Sequence, residues 1–362
     1  MKKLQLTILV LGFMCLIVYL SKTTNTTNIT SQEKLDKQPP SFDSLNDGIS
    51  KITSQSAQQT VEYLASQELE GRMSGKKGNI LAAKYIKEKF ESFGYKTKYQ
   101  KFLIKRLNYG PLNELGDDFT NNILAWSIGK DERMKDDIVV VGAHMDHIGY
   151  GPNMSMQNKI KIHPGADDNA SGTAALIEIA KGMSKLKNKR TILFIAFSAE
   201  EMGLLGSLYY VKNPELPENE PNIKNHVFML NMDMVGYLKN GRQPAGFSDL
   251  NSSIDITKYI GELSDKYNFA KSITSRGTGG SDHASFYNKK VPIAFLHTGG
   301  HNYYHTPADT PDKLNYEGIE KISKYALELI WKISQEEKSP TFNHNNFQEM
   351  SYDHDHNIKN FR

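Results

Sequence analysis

Short polar clusters that could hold a metal or move a proton recur along this sequence, each close behind an apolar run. DIVVVGAH (137–144) ends in His144 and is followed by Asp146 and His147. GADDNASG then brings Asp167 and Asp168, and TILFIAFSA runs into the adjacent pair Glu200 and Glu201. LNMDMVG contains Asp233, and GGHNYYHTPADT, behind VPIAFLHT, holds His301, Tyr304 and His305. Carboxylates gathered at one point repel one another, and burial makes the repulsion worse. A divalent cation resolves that conflict. Ligands of the His, Asp and Glu types, without cysteine, suit a catalytic zinc or a related metal. At least five such side chains exceed what one tetrahedral ion takes, so two ions fit better than one.

The elements that must position these residues follow from the apolar pattern. DIVVVGAH and TILFIAFSA are short continuous apolar runs, as parallel strands buried on both faces require. HVFMLNMDMVG (226–236) and VPIAFLHT (291–298) add two more strands, and Lys96 to Ile128 reads as a strand or hairpin region. Between them, Leu176, Ile179, Ala180 and Met183 keep helical spacing, with Asn169 or Ser171 available as the cap. Further helices are expected at Val61–Leu69, at Ile80–Phe93 with Gly94 as the stop, and at about Tyr316–Glu336. Strands alternating with helices predict an α/β fold, a doubly wound, mixed and mostly parallel sheet flanked by helices. In such open sheets, sites lie beyond the carboxyl ends of the strands, where all these polar clusters fall.

Composition narrows the setting. The chain has 362 residues, 38% hydrophobic and 23% charged, with a net charge of +3. No Lys/Arg cluster suggests nucleic-acid binding. The single cysteine, Cys15, lies in the N-terminal apolar run, so the rest of the chain has no disulfide, thiolate ligand or cysteine nucleophile. Lys2 and Lys3 ahead of the apolar run Leu4–Leu20 form an export signal. No small-x-small cleavage site follows, which leaves signal peptide and membrane anchor both open. A lipid on Cys15 is disfavoured by the bulky Phe13 and Met14 before it. Asn25 and Asn28 stand in glycosylation sequons that matter only in a host that glycosylates. The expected organisation is a signal peptide or anchor at 1–20, a flexible linker at 21–50, a catalytic domain at 51–336 and a disordered polar tail at 337–362. An exported protein, secreted, periplasmic or anchored, is therefore expected. Its oligomeric state is not legible.

VVVGAHMDHIG, GADDNASGTAAL, FIAFSAEEMGLLGS, LNMDMVG and YYHTPADT, in that order, closely resemble the zinc aminopeptidases of family M28. The match runs from about Leu64 to Ile333 and includes LASQELEGRMSGKKGN. The resemblance implies a zinc-peptidase-like sandwich, two Zn²⁺ per chain and peptide substrates. It implies that His144 and Asp233 bind one zinc, that Glu201 and His305 bind the other, and that Asp168 bridges them. Glu200 would be the general base for the bridging water, and Asp146 would orient His144 from behind. Two ions about 3.5–4 Å apart acidify bound water and polarise the scissile carbonyl. Tyr304 resembles the tyrosine that stabilises the oxyanion in some members, with an aromatic pocket wall as the competing role. That choice is favoured because TGGSDHASF (278–286) has no tyrosine of its own. Asp282 and His283 are expected to shape their loop, Asp167 to shape its own, and His147, His163, His297 and His301 to lie behind the site or at the surface. The stretch between Gly94 and Ile138 is too short for a protease-associated insertion, so an open site is expected.

Three other functions compete with removal of N-terminal residues. A carboxypeptidase or dipeptidase of the same fold would need a cation for the substrate carboxylate, for which Arg276 is a candidate. Glutaminyl cyclase shares the scaffold with one zinc, which the intact pair His144 and Asp233 argues against. A non-catalytic binding module is disfavoured because every expected ligand is present.

Overall fold

The computed structural model describes residues 42–104, 119–151, 154–157, 160–216, 221–238, 249–269 and 280–350. The N-terminal apolar run, Cys15, the sequons, Arg276, the start of TGGSDHASF and the tail beyond 350 lie outside them. The strands are β1 (Lys96–Leu103), β2 (Phe119–Ser127), β3 (Ile138–His144), β4 (Thr191–Phe197), β5 (His226–Met232) and β6 (Ile293–Leu296). They form one sheet in the order β1-β2-β4-β3-β5-β6. β4, β3, β5 and β6 are parallel, whereas β1 and β2 pair antiparallel as a hairpin region on the β4 side. The predicted mixed, mostly parallel sheet is what the chain forms.

Every residue of β3 and β4 is buried, which is why their sequences run apolar without alternation. Side chains along a strand still alternate between faces. Val139, Val141, Ile192, Phe194, Phe228 and Leu230 enter one large core. Val140, Leu193, Ile195, Phe197, Met229 and Ile293 enter the core on the opposite face. The helices are α1 (Phe42–Ile49), α2 (Ser54–Leu64), α3 (Lys77–Ser92), α4 (Gly172–Met183), α5 (Leu205–Lys212), α6 (Ile254–Tyr267), α7 (His283–Tyr287) and α8 (Tyr316–Gln335). The first core takes the apolar stripes of α2, α3, α4, α6 and α8, and the second takes Tyr210 and Val211 of α5 with Phe286 and Tyr287 of α7. Asn169, not Ser171, caps α4: its Oδ1 accepts from Gly172 N at 2.9 Å. The same side chain accepts from Met234 N and donates to Met232 O, tying the start of α4 to the exit of β5. None of the described helices is long and apolar enough to cross a membrane.

Both flanking segments depart from expectation. The stretch read as a flexible linker ends in helix α1, whose Leu45 is buried in the first core. Residues 337–350, read as disordered, pack on the second core through Phe342, Phe347 and Met350. Phe342 and Phe347 each lie 5.5 Å from the Tyr287 ring, and Asn288 exchanges two hydrogen bonds with the Met350 backbone. Three apolar anchors spaced through a polar sequence escape a reading based on mean composition.

Candidate metal centre

The site is assembled at the carboxyl ends of β3, β4, β5 and β6. β3 and β5 run in register, with Val141 opposite Leu230 and Gly142 opposite Asn231, so the register carried two residues on sets His144 beside Asp233. The sheet order reverses between these strands, the place where open α/β sheets leave a crevice. Thr173 of α4 donates to the His144 carbonyl at 2.8 Å and fixes the strand end against the helix.

The exit of β4 is held by side chains rather than by strand pairing. Four consecutive amides each find a different atom: Ser198 N donates to Asn122 Oδ1, Ala199 N to Ser74 Oγ, Glu200 N to Asp146 Oδ1 and Glu201 N to Asp146 Oδ2, at 3.0, 2.8, 3.2 and 3.4 Å. Ala199 adopts a left-handed backbone with φ of 58°, a conformation that non-glycine residues enter at a cost of order 1–3 kcal/mol. That kink turns both glutamates toward the crevice. Asp146 therefore clamps the glutamate pair. It also lies 3.7 Å from His144 Nδ1, beyond hydrogen-bond reach.

Asp168 is presented by the turn Ala166–Ser171, whose Asp168–Asn169 peptide bond is cis. Three amides of that turn point at Asp309: Ala166 N to its carbonyl, Asp167 N and Asp168 N to its carboxylate. Asp309 belongs to the same HTPADT segment that carries His305, so it links two parts of the site. His305 Nδ1 donates to Met154 O at 3.0 Å, which leaves Nε2 facing the carboxylates.

The expected ligands converge in two lobes that share Asp168. In the first, His144 Nε2 lies 3.4 Å from Asp168 Oδ1 and 3.3 Å from Asp233 Oδ1. In the second, His305 Nε2 lies 3.0 Å from Asp168 Oδ2 and 3.1 Å from Glu201 Oε2. Ligand atoms within each lobe all fall within 4.8 Å of one another. A third grouping of the same kind joins His144, Glu200 and Glu201. All these residues are buried or nearly so. His144 Nε2, His305 Nε2 and Asp233 Oδ1 are buried without a hydrogen-bond partner, a state that native interiors avoid unless an ion or water completes the site. An all-oxygen-and-imidazole set with orphaned donor atoms fits zinc.

The electrostatics agree. Burial works against charge on His144 and His305, but the carboxylates around them outweigh it, holding His144 well above its ordinary value and His305 at about 10. Burial opposes charge on Glu201 too, yet His305 and His147 bring it down to about 2. Glu200 behaves oppositely: burial, with Glu201 and Asp233 beside it, raises it well above the usual carboxylate range. The Tyr304 phenol is raised by burial and by the nearby carboxylates, and its ring stacks on His305 with centroids 3.9 Å apart.

Other residues take places the sequence did not disclose. His147 is fully inside the second lobe, its Nδ1 2.8 Å from Glu201 Oε1. Arg72, from the Gly-rich EGRMSGKKGN segment, is wholly buried and spends its guanidinium on the carbonyls of Leu64, Met145, Pro164 and Gly165, beneath two ligand-bearing loops. Asp167 accepts from Gly236 N, Ser171 Oγ and His301 Nε2 and so joins three loops. His297 reaches the Asp233 carbonyl, and His163 binds Ser155 and the Lys161 carbonyl. Asp282 is buried with neither carboxyl oxygen hydrogen-bonded, and burial with Asp146 and Asp233 nearby pushes it up to about 7. His283 stacks on Phe295. Arg72, Ser74 and Asp309 stood inside quoted motifs, but nothing in their spacing reveals which distant amides or carbonyls they meet.

Known proteins resemble this chain in sequence and in fold. Aminopeptidase YwaD of Bacillus subtilis is 30% identical over 214 residues, 56% of this chain and 43% of that protein. Leucine aminopeptidase 1 of Sclerotinia sclerotiorum is 30% identical over 230 residues, 59% of this chain and 56% of that protein. The matched region thus spans about half the length of these curated relatives. The LapA aminopeptidase structure from Legionella pneumophila superposes with a TM-score of 0.64 at 27% identity, covering 82% of this chain and 75% of that one. BSAP, a zinc aminopeptidase from B. subtilis, shares the fold with a TM-score of 0.64 at 19% identity, covering 82% and 99%. The family model for peptidase family M28 matches residues 122–330, a span that takes in every ligand-type residue of both lobes. By sequence family and by fold, the chain belongs to peptidase family M28.

Proposed function

We propose that this protein is a zinc-dependent exopeptidase that removes N-terminal residues from peptides. The observation that carries the reading is the shared carboxylate: Asp168 turns one oxygen to His144 and the other to His305. A single carboxylate facing two half-complete ligand sets supports two ions: His144 and Asp233 would hold one, Glu201 and His305 the other, with Asp168 shared. When bound, the zinc pair would polarise the scissile carbonyl and acidify the attacking water. Glu200 then takes the proton from that water as its oxygen adds to the carbonyl carbon. It delivers a proton to the amine as the C–N bond breaks. Its one-residue neighbour is occupied by His305 and His147, so the two adjacent carboxylates divide the work. Tyr304, kept protonated by its raised pKa, is the donor for the oxyanion. Asp146 supports Glu200 and Glu201 through their amides.

Two lobes favour the two-zinc hydrolase over a one-zinc cyclase. A carboxypeptidase would need a cation free to meet a carboxylate; Arg276 lies outside the described residues, and among those described Arg72, the buried arginine near the centre, is already saturated by carbonyls. The relatives named aminopeptidases support the same choice. The apolar run Leu4–Leu20 behind Lys2 and Lys3 supports export of the catalytic domain from the cytoplasm. The test is hydrolysis of aminoacyl and N-blocked chromogenic substrates with and without chelator. Activity on free-amine substrates that chelation removes and zinc restores is expected. Preference for blocked substrates, or indifference to chelation, would overturn the proposal.

A further inference from the structure

Two adjacent glutamates could in principle exchange roles, so something must keep Glu201 as the ligand and Glu200 as the base. We propose that His147 is the positioning residue that does this, by holding one oxygen of Glu201 so that only the other faces the metal. The inference rests on the metal-centre reading above. His147 Nδ1 lies 2.8 Å from Glu201 Oε1, whereas Glu201 Oε2 is the oxygen turned toward His305 at 3.1 Å. The imidazole donates to Oε1 and leaves Oε2 for the ion, which makes Glu201 a one-oxygen ligand of fixed orientation. The same nitrogen is 3.7 Å from Asp168 Oδ2, too far for a second hydrogen bond. Asp146 reaches Glu200 only through its amide, and among the described residues no histidine is hydrogen-bonded to the Glu200 carboxylate.

The ring has a built seat. Its side chain is fully buried, packed edge-on to His305 with centroids 5.5 Å apart. A Cβ at Gly165 would meet His147 Cγ and Cδ2 at 2.5 Å, and Gly165 has φ of 58°. The same Cβ would meet the Asp168 carbonyl at 2.2 Å, so glycine at 165 lets both the turn and the imidazole sit close. The backbone amide of His147 donates to Arg72 O at 3.4 Å, fixing the ring's approach from the chain side. A ring so enclosed, with one nitrogen on a ligand carboxylate, acts on the metal through that carboxylate.

The experiment compares His147→Ala, His147→Asn and His147→Gln with the full-length wild type. Asparagine carries an amide nitrogen where Nδ1 stood, and glutamine extends past that position. Zinc stoichiometry and stepwise affinity are measured by chelator competition, and coordination is read from the visible spectrum of the Co²⁺-substituted proteins. Alanine and glutamine should weaken one of the two metals about 10- to 100-fold, as loss of a ligand's hydrogen-bond partner does, and leave the other unchanged. Asparagine should restore most of that affinity with a wild-type Co²⁺ spectrum. A shifted spectrum in the asparagine variant would make His147 itself a ligand and overturn the proposal. Equal affinities for all four proteins would overturn it as well. If alanine fails to fold, the asparagine–glutamine comparison carries the decision. A wild type that takes up no metal would sink the metal-centre reading, an outcome distinct from two metals bound equally by every variant.

Discussion

Glu200 and Glu201 differ by one position and by opposite environments. Glu200 is raised by burial and like charge, Glu201 lowered to about 2 by two histidines. Glu200→Gln should reduce kcat by roughly 10²- to 10⁴-fold, the usual worth of a general base, with zinc content unchanged. Loss of metal from that variant would show the two glutamates reversed. Asp168→Asn tests the sharing of one carboxylate. Because its two oxygens face different lobes, both metals should bind more weakly, and a variant retaining one at full affinity would refute the shared role. At this scale the sequence was most informative, since each ligand type follows an apolar run and metal chemistry restricts which types can serve. The sequence left His147 either behind the site or at the surface, because its role depends on which oxygen of a residue in another loop it touches.

The elements show what must be built so that those residues meet. The β4 exit hangs on amides satisfied from β2, from the Gly-rich segment after α2, and from the loop after β3. Ser74→Ala would orphan the buried Ala199 amide at a cost of about 1–3 kcal/mol. We expect a lower Tm together with a fall in kcat at unchanged zinc stoichiometry, measured by calorimetry and steady-state kinetics. Stability lost without any change in kcat would mean the bond does not help place the glutamates. His226, at the start of β5, offers a pH test remote from the centre. Burial pushes it down to about 4, against its two backbone contacts, and Tyr210 OH lies 2.8 Å from its Nε2. The unfolded chain binds a proton there near pH 6.5, so this group's stabilisation is complete above that pH and is lost as pH falls toward 4. The loss totals about 3 kcal/mol. In the metal-free protein, urea midpoints between pH 7 and pH 5 should fall less for His226→Gln than for wild type. Parallel pH curves would refute the assignment. Strands β3 to β6 were legible as continuous apolar runs, and helices α3, α4 and α8 because their apolar period repeats. Helix α5 was not, because it begins immediately behind the glutamate turn and shows little amphipathic contrast. The strand order was unreadable as well, since the pairing of β2 with β4 depends on a long connection and not on local pattern.

For the whole molecule, the metal centre and the fold support each other. Ligands bound only by the native state add stability by mass action, about 4 kcal/mol at a thousand-fold excess over Kd. Chelation should therefore lower Tm, and readdition of zinc should restore it, as scanning calorimetry would record. An unchanged Tm would mean that the cluster of buried carboxylates is tolerated without cations. The residues of the two lobes run from His144 to His305 and come from the exits of β3, β4 and β5, the turn before α4 and the segment after β6. No shorter contiguous piece of chain contains the set. During synthesis the centre stays incomplete until residue 305 has been made and β6 has joined the sheet. A chain exported unfolded would thus acquire its metal only at its destination. In a chain so exported, the long span of the ligand set would act as a timing device that keeps the hydrolase inert in the compartment where it is made.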